Sequence, residues 1–220
     1  MASSTNSTSV PSGMLPSVIN VTRLPFDLHC ETDLSALRIA ESRGQFRLHH
    51  TAFYIRVSAH IFWWVLRKPR ILLLERALCD TRPGYWEPPG GAAEDQDETP
   101  GDALKREVGE ETGLQLSQVT HTLPTQTWTR SKGREDYNWV GLPCIIKVSE
   151  LETFESRGSS QRASQPVLKW EDIIRLNPEE HQNFAWATEE EVRCDKYKMF
   201  GNHKETALKA FAAVTENCSV

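Results

Sequence analysis

The feature that most constrains the fold is a helix whose start and end are both marked in the sequence. Thr99 is a favoured N-cap, Pro100 suits the first helical position, and Asp102 completes the spacing of a capping box. Gly113 supplies the left-handed residue that commonly closes a helix. The pattern predicts a polar loop followed by a helix from about Pro100 to Thr112.

Three carboxylates share one side of this predicted helix. Glu107, Glu110 and Glu111 stand at i, i+3 and i+4, a spacing at which like charges repel and destabilise a helix. A bound divalent cation would offset that repulsion. Oxygen ligands without a neighbouring cysteine or histidine pair favour Mg²⁺ or Mn²⁺ over Zn²⁺. A solvated acidic helix behind a turn is the alternative interpretation.

The residues around this helix resemble the Nudix box, which is written as Gly, five residues, Glu, seven residues and Arg-Glu-apolar-x-Glu-Glu-x-Gly-apolar. Glu98, seven residues and the run Arg106–Leu114 match its second part, and Trp86–Gly91 resembles the segment that leads into such boxes. The first part departs from the pattern because six residues separate Gly91 from Glu98. The additional residue is expected within Asp95–Asp97, a polar loop that tolerates insertions.

The resemblance implies a fold and a reaction. The fold would be a Nudix-type α/β/α sandwich of the α/β (α+β) class, with a mixed β-sheet and the box as a loop–helix–loop. The reaction would be cleavage of the diphosphate linkage in a small nucleoside diphosphate derivative, by attack of a metal-activated water on phosphorus. The cofactor would be Mg²⁺ or Mn²⁺. A catalytically inactive Nudix-fold binding or regulatory module is the alternative.

The resemblance also implies a set of metal ligands. Glu107, Glu110 and Glu111 are the expected carboxylate ligands, and the carbonyl oxygen of Gly91 is a further candidate from the loop. Carboxylate ligands suit this chemistry because a polyanionic diphosphate approaches an acidic cluster only through bridging cations.

Two further roles follow from the resemblance. Arg106 and Glu98 are expected to form an orienting pair that holds the loop against the helix. The general base stays open between a box residue, Glu107, and a residue of a separate loop, Glu180 or His181. For His181, a surface loop position without a catalytic role is the alternative.

Aromatic and basic residues are interleaved outside the box. Trp128, Tyr137 and Trp139 flank a basic turn that contains Arg130, and Arg82 precedes the box in a similar setting. Such residues can stack a base and bind phosphates. The alternative is that the rings pack within a sheet while the basic side chains are solvated. The sequence does not select one nucleotide substrate.

Length and charge set the remaining expectations. The chain has 220 residues, and we predict a flexible tail at 1–27, one Nudix domain at 28–216 and a short tail at 217–220. The net charge is −5, and residues 94–111 alone contribute −6 from eight acidic and two basic side chains. This local acidity suits a cation site and argues against a nucleic acid polymer as partner.

Cysteine usage and hydropathy bear on location. The five cysteines are scattered without metal-ligand spacing, which fits reduced thiols. The sequence shows neither the pattern of a signal peptide nor an apolar run of membrane-spanning length. The expected location is intracellular, in the cytoplasm and away from membranes. The oligomeric state is open, with a homodimer as one alternative.

Patterning elsewhere predicts further elements. These are a short helix near 32–40, a hairpin of strands 54–66 and 71–76, a strand pair at 118–129 and 138–148, a surface loop at 152–164, a strand at 184–186, and a last helix from Asn202 that buries Leu208, Phe211 and Ala212.

Overall fold

The computed structural model describes residues 45–48, 51–132, 135–151 and 169–216. The predicted tails at 1–27 and 217–220 lie outside these residues. The short helix near 32–40 and the surface loop at 152–164 also lie outside them. No helix of the described ranges is long and apolar enough to cross a membrane.

The described part of the chain forms eight strands and three α-helices. The strands are β1 (Gln45–Leu48), β2 (Thr51–Val65), β3 (Lys68–Arg76), β4 (Trp86–Glu87), β5 (Leu116–Thr122), β6 (Gln126–Lys132), β7 (Glu135–Val148) and β8 (His181–Ala187). The helices are α1 (Pro100–Thr112), α2 (Glu189–Arg193) and α3 (His203–Glu216). A single 3₁₀ turn lies at Trp170–Asp172.

The strands form one mixed sheet around β2 and β7. These two strands pair in parallel, whereas β2 pairs antiparallel with β1 and β3. Strand β3 also pairs with β4 and β8, and β7 also pairs with β5 and β6. The mixed sheet agrees with the predicted fold class.

Helices cover both faces of the sheet. Side chains of successive strand residues point to opposite faces, and both faces carry buried apolar side chains. Val57 and Ile61 of β2 pack with Leu104 of α1 in one buried cluster. Phe62 of the same strand packs on the other face against Phe211 of α3, with ring centroids 5.1 Å apart. Truncation of such a buried Phe destabilises a protein by about 3–5 kcal/mol. The predicted α/β/α sandwich is therefore confirmed.

Three local predictions need correction. The hairpin turn lies at Leu66 and Arg67, not at 67–70, because both residues adopt the positive φ values that a tight two-residue turn requires. The predicted strand 118–129 is two strands, since Pro124 between them has no N–H to donate. In α3, Phe211 is buried and Leu208 partly buried, whereas Ala212 is exposed.

Candidate functional site

Helix α1 begins and ends where the sequence predicts. Thr99 Oγ1 accepts the Asp102 N–H at 3.1 Å, and the Asp102 carboxylate accepts the Thr99 N–H at 2.9 Å. Gly113 has φ +71 and closes the helix. The fixed register puts Glu107 and Glu111 on the buried side, where they are 7% and 4% exposed.

The loop of Gly90 and Gly91 lies directly against these two carboxylates. Gly90 donates its N–H to Glu111 Oε2 at 2.7 Å, and a side chain on Gly91 would overlap the carboxylate of Glu107. Gly90 has φ +144, and a Cβ there would overlap the carbonyl oxygen of Val57 in β2. Position 90 therefore requires glycine for the loop to keep this path, whereas a side chain at position 91 would displace the carboxylate of Glu107.

Arg106 connects the loop to the helix through Asp97, the residue before the predicted partner Glu98. Its Nε and Nη2 donate to Asp97 at 3.1 and 2.9 Å, and Nη2 also donates to the carbonyl oxygen of Ala92 at 3.0 Å. Asp97 is only 5% exposed, whereas Glu98 is exposed. A buried, two-pronged contact of this kind is the geometry in which a guanidinium binds a carboxylate most strongly.

The spacing of the box agrees with this contact. Five residues separate Gly91 from Asp97, so the acidic position keeps its usual distance from the glycine. The additional residue lies after Asp97 and not within 95–97. Counting from the glycine instead of from the arginine would have identified Asp97.

Glu110 lies apart from the other two box glutamates. Its side chain is 56% exposed, and its Oε2 accepts a hydrogen bond from Arg106 Nη1 at 3.0 Å. Nη2 of the same guanidinium lies 3.1 Å from Glu107 Oε1. The structure thus brings Glu107 and Glu111 together on the buried side and leaves Glu110 at the rim.

A second segment joins the box at the start of β8. Candidate ligand atoms of Glu111, Glu180 and His181 lie within 4.8 Å of one another. His181 is 2% exposed, so the alternative of a surface position is wrong for this residue, whereas Glu180 is exposed. We refer to Glu107, Glu111, Glu180 and His181 as the carboxylate cluster.

Glu87 of β4 is a buried acid with four basic groups around it. It is 1% exposed; Arg76 pairs with Oε1, and Arg56 Nη2 lies 3.2 Å from Oε2. His181 Nε2 lies 3.7 Å from Oε1, and His203 Nε2 lies 3.8 Å from Oε2. Burial raises the pKa of Glu87, but His181, Arg56, His203 and Arg76 outweigh burial and lower this pKa to about 2.

These neighbours connect Glu87 to two sides of the site. The other ring nitrogen of His181, Nδ1, lies 3.9 Å from Glu111 Oε1 in the carboxylate cluster. Arg56 donates to the Gly90 carbonyl oxygen at 3.1 Å and also lines a cavity on the α3 side of the sheet. One buried charge therefore contacts groups of both regions.

The cavity beside Arg56 has a volume of about 460 Å³. Its described lining combines aromatic and basic side chains and contains no Asp or Glu. The residues used below are Arg56, Arg82, Trp128, Arg130, Trp139 and Phe200. The rings of Trp128 and Trp139 are parallel within 7°, with centroids 5.9 Å apart. We call this space the aromatic cavity.

Burial shifts several further pKa values. It raises the pKa of Glu107 to about 7, although Arg106 and Arg56 oppose the rise. It raises the pKa of Glu111 well above its ordinary value, and the nearby Glu107 adds to this effect. In contrast, burial lowers the pKa of His60 to about 3 and that of His203 to about 4.

A comparison with protein families decides the assignment of this architecture. The family model described as NUDIX domain matches residues 55–211. The chain belongs to the NUDIX family. The match includes α1, the carboxylate cluster and every residue named for the aromatic cavity, so the described site lies within the NUDIX domain.

Two curated relatives share part of this NUDIX domain. Both are named "Putative 8-oxo-dGTP diphosphatase 3" and come from two strains of Mycobacterium tuberculosis. Each is 33% identical to this chain over 103 residues, which cover 46% of this chain and 44% of the relative. The matched part of this chain thus spans less than half the length of the curated relatives.

Solved structures with the same overall arrangement include two further proteins. An Ap4A hydrolase from C. elegans, in a binary complex, is 18% identical with a TM-score of 0.48, covering 74% of this chain and 98% of that one. The NUDIX domain of NrtR from Shewanella oneidensis, complexed with ADP ribose, is 17% identical with a TM-score of 0.47, covering 74% and 90%.

The donor set of the NUDIX domain fits a divalent cation. Glu107 and Glu111 are buried, and the raised pKa values show that their ionised forms lack sufficient positive charge nearby. Within the described ranges, neither ring nitrogen of the buried His181 has a hydrogen-bond partner. A cation at the carboxylate cluster would supply the missing charge, and carboxylate oxygens are the donors that Mg²⁺ and Mn²⁺ prefer.

The sequence interpretation missed the residues that surround the box. Arg56, Glu87 and His203 belong to separate segments and come together only in the folded chain. The one available signal was Glu87 within the segment Trp86–Gly91. An acidic residue directly before the run of two prolines and two glycines must either be solvated or find a basic partner.

Proposed function

We propose that this NUDIX domain is a metal-dependent hydrolase that cleaves the diphosphate linkage of a nucleoside diphosphate joined to another group. The observation that supports this proposal most directly is the pair Glu107 and Glu111. Both are buried one helical turn apart, both lie against the Gly90–Gly91 loop, and Glu180 extends the cluster from another segment.

Glu107 and Glu111 would hold Mg²⁺ or Mn²⁺, with the Gly91 carbonyl and Glu110 as further candidates. When bound, the cation would neutralise phosphate oxygens and lower the pKa of an attacking water. The Gly91 carbonyl oxygen accepts the Val57 N–H at 2.9 Å, and one lone pair stays available for a second partner. Glu110 would need to exchange its contact with Arg106 for a role as ligand.

The remaining residues of the box orient the two buried carboxylates. Arg106, fixed by Asp97, lies beside Glu107 and limits the positions that its Oε1 can take. The Gly90 N–H does the same for Glu111 Oε2. Such fixed partners keep reacting groups in one geometry and avoid reorganisation during the reaction.

Glu180 is our candidate for the residue that accepts the proton of the attacking water. It is exposed to solvent, and it lies next to Glu111 in the carboxylate cluster. Glu111, by comparison, already accepts a backbone hydrogen bond and has a strongly raised pKa. A solvent-accessible carboxylate beside the cluster meets the geometric requirement for a general base.

The aromatic cavity would hold the nucleoside of the substrate. It adjoins the carboxylate cluster through Arg56, whose guanidinium touches the Gly90 carbonyl oxygen. The parallel rings of Trp128 and Trp139 offer stacking surface, and base stacking on aromatic side chains stabilises nucleotide binding by about 1–3 kcal/mol per base.

The test is a product assay on nucleoside diphosphate derivatives with Mg²⁺ or Mn²⁺. ADP-ribose, Ap4A and 8-oxo-dGTP belong in the panel because similar proteins carry these compounds in their names or complexes. We expect turnover that requires the cation, disappears in Glu111→Gln and falls strongly in Glu180→Gln. Glu179→Gln, one residue away and outside the cluster, is the matched control and should stay active.

Two outcomes would contradict the proposal. Metal binding without turnover of any compound would identify a NUDIX binding module instead of a hydrolase. Equal activity of Glu180→Gln and Glu179→Gln would exclude Glu180 as the base and leave Glu107 as the candidate from the box.

A further inference from the structure

The lining of the aromatic cavity is basic. Arg56, Arg82 and Arg130 line it, and none of its described lining residues is acidic. Among these three, Arg56 already has a carboxylate partner in Glu87. Arg82 and Arg130 are exposed to the solvent of the cavity.

The strand register separates two of these arginines along the sheet. Arg56 of β2 aligns with Gly141 of β7, and Arg130 of β6 aligns with Tyr137 of β7. Four residues of an extended strand span about 13 Å, so the two positions are about that far apart along β7. Arg56 lies at the end next to Gly90 and the carboxylate cluster, and Arg130 lies at the opposite end.

Aromatic rings occupy the interval between the two arginines. Trp128 and Trp139 are directly paired across β6 and β7, midway between the Arg56 and Arg130 positions. Both rings line the cavity. A base that stacks on these rings would therefore have a cationic group on each side, one towards the reacting diphosphate and one away from it.

Arg82, which precedes β4, adds positive charge to the lining of the cavity from a segment outside β2, β6 and β7. Its guanidinium carbon lies 4.3 Å from the centroid of the Phe200 ring, which is the geometry of a cation–π contact. Its φ of +58 is a conformation that non-glycine residues seldom adopt. The ring and the fixed backbone hold the guanidinium at the cavity, while its hydrogen-bond donors remain available to an anion.

We infer that the substrate of this site carries a second anionic group on its nucleoside, beyond the diphosphate that is cleaved. A phosphate ester on the ribose has the charge that Arg82 and Arg130 would bind, because guanidinium groups bind phosphate through charge-assisted hydrogen bonds. This inference rests on the proposed function for the position of the diphosphate. It specifies the class of nucleotide that the cavity selects.

Two matched pairs of compounds test the inference. The pairs are coenzyme A with dephospho-coenzyme A, and NADPH with NADH, whose members differ by one ribose phosphate. We expect kcat/KM to be about tenfold or more higher for the phosphorylated member, a ratio that corresponds to about 1.4 kcal/mol of selective binding. The preference should reside mainly in KM, since the arginines bind a group that does not react.

Three variants identify the residues responsible. Arg82→Met and Arg130→Met should each reduce the preference for the phosphorylated member several-fold, and the double variant should bring the ratio close to one. Arg67→Met, in the exposed turn between β2 and β3, removes an arginine outside the cavity and should leave the ratio unchanged. A ratio near one in the unmodified protein, or a ratio unaffected by the double variant, would overturn the inference.

Binding measured without turnover separates this inference from the proposed function. Calorimetry with the Glu111→Gln variant compares the affinities for the two members of each pair when hydrolysis is blocked. Tighter binding of the phosphorylated members, lost in the Arg82 and Arg130 variants, would support the inference even if the chain hydrolysed none of the four compounds. Equal affinities would refute it even if hydrolysis were observed.

Discussion

The carboxylate cluster and the aromatic cavity adjoin at Arg56, yet they differ in charge and in how the sequence encodes them. The cluster is acidic, and two of its members lie on one helix of 13 residues. The cavity is basic and aromatic, and its residues come from five separate stretches between positions 56 and 206. On the proposed function, metal chemistry would reside in a local motif, whereas selection of the substrate would depend on how distant segments pack.

The largest expected effect separates two residues of the same helix. Glu111→Gln should lower kcat/KM roughly 10³-fold, as expected for a carboxylate that is essential for the reaction. Glu110→Gln should reduce it far less, because Glu110 is exposed and paired with Arg106. Steady-state kinetics at saturating Mg²⁺ measure both. Equal losses would show that Glu110 enters the cluster in the working enzyme.

The next largest effect concerns the residue that contacts both regions. Glu87→Gln removes the buried charge that pairs with Arg56 and Arg76, so the free energy of unfolding should fall by about 3–5 kcal/mol. Loss of such supporting contacts should also lower kcat/KM about 10–100-fold. Urea unfolding and kinetics test the two effects separately.

Glu75→Gln is the control for this variant. Glu75 lies on neighbouring β3 and pairs with Trp86 in the sheet, and its side chain makes no ion pair within the described ranges. A small change in this control beside a large change in Glu87→Gln would assign the effect to the ion pairs. Similar changes in both variants would indicate a general sensitivity of this part of the sheet.

A smaller effect tests which carboxylate holds Arg106. Asp97→Asn should lower the free energy of unfolding by about 2 kcal/mol, because it weakens charge-assisted hydrogen bonds to a half-buried guanidinium. Glu98→Gln should change it by about 0.5 kcal/mol or less, as is typical of exposed positions. Chemical denaturation of the two variants gives the comparison. The reverse order would restore Glu98 to the predicted pair.

The smallest effect is a pH dependence that originates on the α3 side of the sheet. The folded pKa values of His60 and His203 lie below the ordinary value of 6.5. The unfolded chain therefore binds protons that these two folded histidines do not, and their contribution to stability falls as the pH decreases below 6.5. The raised pKa values of Glu107 and Glu111 contribute in the opposite direction. From pH 6.5 to 5.5 the loss is about 1 kcal/mol per histidine, or about 2–4 °C in Tm.

Thermal melts of the His60→Leu variant provide the check. Leucine preserves an apolar side chain of similar size and cannot be protonated, so the change in Tm between pH 6.5 and 5.5 should differ from that of the unmodified protein by about 2–4 °C, the contribution of one histidine. An unchanged slope would mean that the buried imidazole of His60 does not contribute to the acid sensitivity.

Helix α1 shows why part of the site was predictable. Its bounds agree with the structure because Thr99, Asp102 and Gly113 act on residues within one or two turns of the chain. The contact of Arg106 with Asp97 was not predicted. Glu98 and Asp97 are adjacent in sequence, and only the fold shows that Asp97 is the one directed inward.

Arg56, Glu87 and His203 illustrate what the sequence could not provide. Each residue has no local pattern that marks a function, and their contacts join positions 31 and 116 residues apart. Such contacts depend on the register of β2 against β3 and β7 and on the placement of α3, which hydrophobic periodicity does not determine. Trp128 and Trp139 were candidates for stacking, but only the structure shows that they line the same cavity as Arg56.

Glu87 also has a consequence for how the two regions would respond to each other. Its contacts reach Glu111 through His181 on one side and the cavity through Arg56 and His203 on the other. A cation that repositions the first set of groups would change the affinity for a nucleotide held by the second. Thermodynamic linkage then requires the nucleotide to change the affinity for the cation by the same factor.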